Sequence, residues 1–254
     1  MLERGLVYSV QARGCHSAPR GSILPFVPDG AGDVVVRPYR PSDREAVRRI
    51  CYLTGYMGDP VDWLWPDAES FSDMFSGYYT DVEPESAFVA EVGGAVSGYL
   101  LGCVDTRRAW NPARVAVRHA FLRGLAFRPG TGRVIWRAVA DGVLSVVSGK
   151  PMPAPFLDDR FPAHLHIDLL PSARGSGVGA ALMRRWLDHL AGKGVPGCHL
   201  ETMSENERAV VFFEAMGFEP TGDPVVVPGW RARTGGRHHI QVMVRALAQQ
   251  PPGP

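Results

Sequence analysis

Arg174-Gly175-Ser176-Gly177-Val178-Gly179 is the stretch of this chain whose residue types point most directly to a chemistry. Glycines remove the side chains that hold an anion off the backbone, and a helix starting at such a loop offers unpaired N–H groups and the positive end of its dipole. Read as Arg174-x-x-Gly177-x-Gly179, the loop sets five successive N–H groups and a guanidinium around a pyrophosphate. A dinucleotide reading competes, because Gly175, Gly177 and Ala180 satisfy G-x-G-x-x-G/A and Glu201 follows about 20 residues on. That loop, however, follows its strand directly and opens a run of βαβ units. Here Pro171-Ser172-Ala173-Arg174 intervenes between strand and loop. A glycine turn without a ligand fits the strand, loop and helix order least.

A second constellation lies just before the loop. Alternation in His164-Leu165-His166-Ile167-Asp168-Leu169-Leu170 marks a strand with His164, His166 and Asp168 on one face and Leu165, Ile167 and Leu169 on the other. Strands covered on both faces are apolar throughout, so three polar residues in register indicate a cavity on one side. Asp168 is a candidate general base there, with a structural hydrogen bond as its competing role; Glu201, on the neighbouring strand, is the reserve base. Both histidines are expected to be structural.

Positioning these groups requires a sheet. Val34-Val35-Val36 reads as a short strand, and Pro41-Ser42-Asp43 opens a helix through Leu53, with Ser42 or Asp43 as cap. Trp63, Trp65, Phe71, Met74, Phe75, Tyr78 and Tyr79 read as a helical core region with a few rings bordering a groove. Two apolar runs over 87–92 and 95–104, joined by Gly93-Gly94, spell a hairpin. Helices are expected around 114–125 and 133–147, then a proline-rich stretch at Pro151, Pro153 and Pro155. Past the glycine loop come a helix through Leu182, Trp186 and Leu190 that stops at Gly192 and Gly194, and a strand over 199–203. A helix over 205–216 closed by Gly217 and strands at 225–227 and 240–244 complete the order. Residues 1–32 and 247–254 read as loose tails around one domain at 33–246.

Composition narrows the function classes. With 254 residues, 45% hydrophobic, 21% charged and a mean hydropathy of −0.06, the chain is of globular type. No run approaches the roughly 18 apolar residues of a membrane span. Accordingly no membrane partner is expected, and 27 basic against 26 acidic residues provide no global field for a polyanion, so nucleic acid is not an expected partner either. Cys15, Cys51, Cys103 and Cys198 are far apart without a CxxC, which signals neither a metal site nor a disulfide framework. Residues 1–10 contain Glu3 and no apolar run, and a cytoplasmic location is expected. The charge is uneven: residues 106–163 hold ten Lys/Arg against three Asp, +7, leaving −6 elsewhere. Such a segment is a solvated basic face or a surface for an acidic ligand.

Leu169 to Gly179, Asn206-Glu207-Arg208-Ala209 and Phe213-Glu214-Ala215-Met216-Gly217-Phe218 together resemble the acetyl-CoA core of the GNAT superfamily of N-acetyltransferases. More narrowly, Val36-Arg37-Pro38-Tyr39, Gly98 to Asp105, Phe161-Pro162 and Ile167-Asp168 resemble the acetyltransferase-like C-terminal domain of O-GlcNAcase and its stand-alone bacterial relatives, over roughly residues 33–246. The resemblance implies an α/β (α+β) fold with a mixed, mostly antiparallel sheet of about six or seven strands and a helical insertion at 106–163. It implies acetyl-CoA as cosubstrate, with pantetheine on backbone groups of Ile167, Leu169 and Leu170. The pyrophosphate would lie on Arg174, Gly175, Ser176, Gly177, Val178, Gly179 and Ala180, and Asn206 near the thiol end. The glycine loop departs from the eukaryotic O-GlcNAcase domain, which lacks it. Phe213 also departs: many GNAT enzymes carry a tyrosine seven residues after the asparagine, and a phenyl ring cannot protonate a departing sulfur.

The activity implied is direct acetyl transfer from the thioester to an amine. A catalytically silent acyl-CoA-binding or protein-interaction module is the alternative. If the basic insertion lines the acceptor groove, a small amine or a neutral-to-acidic peptide is expected to be preferred over a lysine-rich tail. A homodimer is left open.

Overall fold

The computed structural model describes residues 34–149 and 154–247. Cys15, the expected tails at 1–32 and 248–254, and two of the three prolines at 151–155 lie outside these; Leu247 donates its N–H to the Pro196 carbonyl at 2.8 Å. The β-branched run opens as strand β1 (Val34–Pro38), followed by helix α1 (Arg44–Thr54). Neither Ser42 nor Asp43 caps α1 with its side chain. Asp43 is buried, and its carboxylate accepts the Arg40 N–H at 2.8 Å and both Nη atoms of Arg37 at 2.7 and 2.8 Å. A forked guanidinium on a buried carboxylate outcompetes a single cap bond.

The aromatic region forms α2 (Ala68–Ser72), a π-helical turn (Asp73–Gly77) and α3 (Tyr78–Asp81). Trp65, Phe71, Tyr78 and Tyr79 are core, as the sequence indicates. The hairpin follows as β2 (Ala87–Val92) and β3 (Ala95–Cys103), turned by Gly93 at φ 59° and Gly94 at φ 80°, a combination favoured by paired glycines. The insertion holds α4 (Pro112–Leu122) and α5 (Thr131–Val147), each within three residues of expectation. Then come β4 (Ala163–Leu169), α6 (Val178–Gly192), β5 (Gly197–Met203), α7 (Glu207–Ala215), β6 (Glu219–Arg231) and β7 (Arg237–Ala246).

The seven strands make one sheet in the order β1-β2-β3-β4-β5-β7-β6, antiparallel except for β4 with β5. Side-chain alternation along β3 divides the core. Tyr99, Leu101 and Cys103 face α1 and the aromatic region, while Leu100 joins Leu165, Leu182, Trp186 and Leu200 under α6. Gly102 admits the fully buried Trp186, since a Cβ on it would stand 2.3 Å from the indole. Gly102→Ala should therefore destabilise the fold by about 1–3 kcal/mol or more, read as a lower midpoint in urea.

The parallel pair is the decisive feature. β4 and β5 are in register at Ala163 with Cys198 and His164 with His199, and then diverge. β4 stays on β3 as far as Leu169 and β5 stays on β7 as far as Met203, so the sheet opens a cleft between its two central strands.

Candidate active site

One mouth of the cleft is the glycine loop. Gly175 and Gly177 have φ of 75° and 79°, and no atom lies within 4 Å of where a side chain would begin on either. The first N–H groups of α6, at Val178, Gly179 and Ala180, have no intrahelical acceptor. This open, donor-rich cradle fits the pyrophosphate of acetyl-CoA. A groove of about 370 Å³ runs from it past Arg174, Ile167, Asn206 and Phe212 to Phe213. Ser176 and Val178 do not line the groove with side chains: the Ser176 hydroxyl donates to the Ala173 carbonyl at 3.0 Å and Val178 is buried in the core. Only their backbone faces the loop.

Arg174 does more than the sequence indicates. Its Nε donates to the Leu169 carbonyl at 3.0 Å and its Nη2 to that of Gly58, tying the end of β4 to the turn after α1. Arg208, which the sequence pattern gives no binding role, converges on the same place. A side chain on Gly58 would stand 3.1 Å from an Nη2 of each arginine. Burial lowers the Arg174 pKa, and the neighbouring Arg208 guanidinium adds to the shift.

Leu170 requires a correction. Its N–H donates to the Ser97 carbonyl at 2.9 Å, so it is spent on β3 and is not available to pantetheine. By the alternation of an antiparallel ladder, the backbone of Asp168 faces β3 as well, while that of Ile167 and Leu169 faces the cleft. Of the three expected positions, two present backbone to the opening, and the Leu169 carbonyl already holds Arg174.

Beyond Phe213 the groove meets a cavity of about 310 Å³; Met57, Gly58, Ile167, Asp168, Asn206 and Ala209 border both. Asp168 lies at the junction. Tyr99, across the β3–β4 ladder, donates its hydroxyl to Asp168 Oδ2 at 2.5 Å, and Cys51 and Thr54 from α1 line the same wall. Burial lifts the Asp168 carboxyl to about 6, with the Tyr99 hydrogen bond holding it from going further. Glu201 also projects into the cavity; it is open to solvent there, yet the surrounding walls raise its pKa too.

The two histidines differ. His164 is structural, with Nε2 against the Tyr79 hydroxyl at 2.7 Å and Nδ1 against Thr106 Oγ1 at 2.8 Å. His166 lines the cavity, packed edge-on against Phe75 and Tyr79, and burial pushes it down to about 4, so it is neutral at pH 7. Asn206 caps α7, its Oδ1 accepting from the Ala209 N–H at 3.3 Å. Phe213 is buried at the point where the spaces join and carries no dissociable proton. Ser204, the nearby hydroxyl in sequence, points to the His239 carbonyl instead.

Among the described residues of 106–163 none borders the cavity, so the condition under which a neutral or acidic acceptor was expected is not met there. The described residues around it include two carboxylates, Asp168 and Glu201, and no lysine or arginine. The walls also include Phe71 and Phe75, rings from the aromatic region, and Trp230 from β6. Met57, at φ 52°, is the one non-glycine residue with positive φ among those described, and it stands where groove and cavity meet.

This cleft, glycine loop and strand order define an acyltransferase class of site, and the comparisons agree. The acetyltransferase (GNAT) family model matches residues 56–218, and the chain belongs to that family. It is 32% identical over 88 residues to the mouse "Probable N-acetyltransferase family 8 member 5", a match covering 34% of this chain and 39% of that protein. The chain thus matches about two-fifths of that relative's length. The crystal structure of SsHAT superposes with a TM-score of 0.56 at 30% identity, covering 85% of this chain and 99% of that one. The yncA protein of Salmonella typhimurium, solved with its cofactor acetyl-CoA, superposes with a TM-score of 0.50 at 14% identity over 87% and 97% of the chains, a likeness of fold.

Proposed function

We propose that this chain is an acetyl-CoA-dependent N-acetyltransferase that moves acetyl directly to an amine while both substrates are bound. The observation that carries the proposal is the continuity of the two spaces: an anion cradle opens through the β4–β5 cleft onto a carboxylate with a raised pKa. Acetyl-CoA supplies the activated thioester. Gly175, Gly177, Gly179 and Ala180, with Arg174 and Arg208, hold its phosphates, and the backbone of Ile167 and the Leu169 N–H orient the arm. The Asp168 carboxylate takes the proton of the incoming amine, and the Tyr99 hydroxyl, donating to its Oδ2, steadies it between turnovers. Phe213 offers no proton to the sulfur, and a general acid is worth about 10²–10⁴-fold, so turnover is modest. A thiol pKa of about 8.5 makes the leaving group less dependent on a donor than an alkoxide would be. The kinship to the O-GlcNAcase C-terminal domain and a cytoplasmic location belong to this reading. The test is release of free thiol from acetyl-CoA across a panel of amines; binding without turnover of any amine would assign the silent module instead.

The acceptor class follows from the cavity. With the carboxyl groups of Asp168 and Glu201 on its wall, His166 neutral and no lysine or arginine among the described residues that line it, the cavity favours an amine bearing a further positive charge. This reverses the preference expected from the insertion. Amines with a second cationic centre should show higher kcat/KM than neutral or acidic amines of equal size, with the gap narrowing as salt rises. Glu201→Gln should remove most of the preference. Faster turnover of acidic acceptors at low salt would overturn it.

A further inference from the structure

The insertion carries a second anomaly, remote from the acetyl-transfer cleft. Ten of the fifteen large hydrophobic residues exposed among those described lie between Val117 and Val147. Phe121 is 85% exposed and Phe127 87%, and along α5 Trp136, Val143, Val146 and Val147 stand on the outer side, opposite the face packed on β6. Trp136 Nε1 donates to the Ala126 carbonyl at 3.1 Å, which brings the outer stripe of α5 next to Phe127. From Ala138 to Gly149 the one charged residue is Asp141, buried beneath the helix against Arg231. A surface helix in water carries its charges on that outer side.

Within the insertion itself the charge is nearly all of one sign. Residues 106–149 contain eight arginines and Asp141 as the sole acid. Arg123 and Arg128 share Asp67, and Arg107 pairs with Asp159; Arg108, Arg114, Arg118, Arg133 and Arg137 make no ion pair among the described residues. We propose that this face docks on an anionic membrane surface, with Phe121, Phe127 and the α5 stripe entering the acyl boundary and the arginines meeting lipid phosphates.

Three features select that occupant. Phe121, Phe127, Trp136, Val143, Val146 and Val147 are all exposed, and none of them lines either of the two cavities that border α4 and α5. A second copy would set arginine against arginine, whereas lipid phosphates complement them. An apolar stripe flanked by arginines is the pattern of a helix lying in the interface plane, and no helix of the described residues is long and apolar enough to cross a membrane. The expectation of no membrane partner rested on span length, which does not report a one-sided surface.

The test is flotation of the full chain with vesicles of phosphatidylcholine alone or with phosphatidylserine added. The expected result is at least about tenfold more protein on the anionic vesicles, with binding weakened by salt. The double variant Phe127→Asp, Val143→Asp should lose at least about tenfold of it while keeping the wild-type circular dichroism spectrum. Failure to float with anionic vesicles overturns the proposal, as does equal flotation of the double variant or equal binding to both vesicle types. A solution dimer that the double variant dissociates would assign the face to a second copy.

Discussion

Asp168→Asn is expected to lower kcat/KM for a cationic amine by about 10²–10⁴-fold while leaving acetyl-CoA binding close to wild type. The pH profile identifies the cause. The wild-type rate should climb through about pH 6 as Asp168 loses its proton, and the variant should lack that limb. Deprotonation of the amine itself acts at higher pH and stays in both. Stability supplies a second readout with a definite sign. The folded carboxyl holds its proton at about 6 against an ordinary value of 3.8, so between those values the folded state binds more protons and stability falls as pH rises. The ionised group thus costs the fold on the order of 1–3 kcal/mol at neutral pH. Asparagine can still accept the Tyr99 hydroxyl without carrying charge. The variant should therefore melt higher than wild type at pH 8, and the difference should close near pH 4. Unchanged turnover with a lower melting point at every pH would reduce Asp168 to a structural acceptor for Tyr99.

Gly177→Glu is expected to weaken acetyl-CoA binding by at least about 100-fold, near 2.7 kcal/mol. Two effects add. The position has φ 79°, a left-handed conformation that costs a non-glycine residue about 1–2 kcal/mol. The new side chain also points into the open cradle, where a carboxylate repels the phosphates that the loop N–H groups receive. Gly177→Ala has the same backbone strain without the charge, so it should lose stability and keep most of the affinity. Calorimetric titration of both variants separates the effects. Binding of the glutamate variant within a few-fold of wild type would sink the assignment of the loop, and NADH binding tighter than acetyl-CoA would restore the dinucleotide reading.

The elements that hold the site are legible in the sequence because their signals are local. Paired glycines between β-rich runs can do little but turn a hairpin, and glycines between an alternating strand and a 3.6-period helix leave the helix N–H groups bare. Alternation also places His164, His166 and Asp168 on one face, and in the fold that face meets the cavity or its flank. The N-terminal cap of α1 was not legible, because a helix-start pattern does not show that Arg37 of β1 and the Arg40 N–H claim the Asp43 carboxylate.

What a single stretch of chain determines is therefore the kind of group and the face it occupies: an anion-binding loop, a polar strand face, an asparagine cap, a phenylalanine lacking a proton to give. What tertiary structure alone decided is how those groups behave. Tyr99 reaches Asp168 from 69 residues away, and burial by α1 and β3 gives that carboxyl its raised pKa. Gly58, from far earlier in the chain, and Arg208, from later in it, join Arg174, and the Ser97 carbonyl takes the Leu170 N–H and so determines which backbone groups face the cleft. The insertion shows the division most plainly. Its charge was countable in advance, but a helix can turn that charge toward a groove or away from it, and the packing of α5 on β6 chose. Local pattern follows from the period of the backbone, whereas solvation, pKa and partnership depend on groups that sequence distance does not bring together.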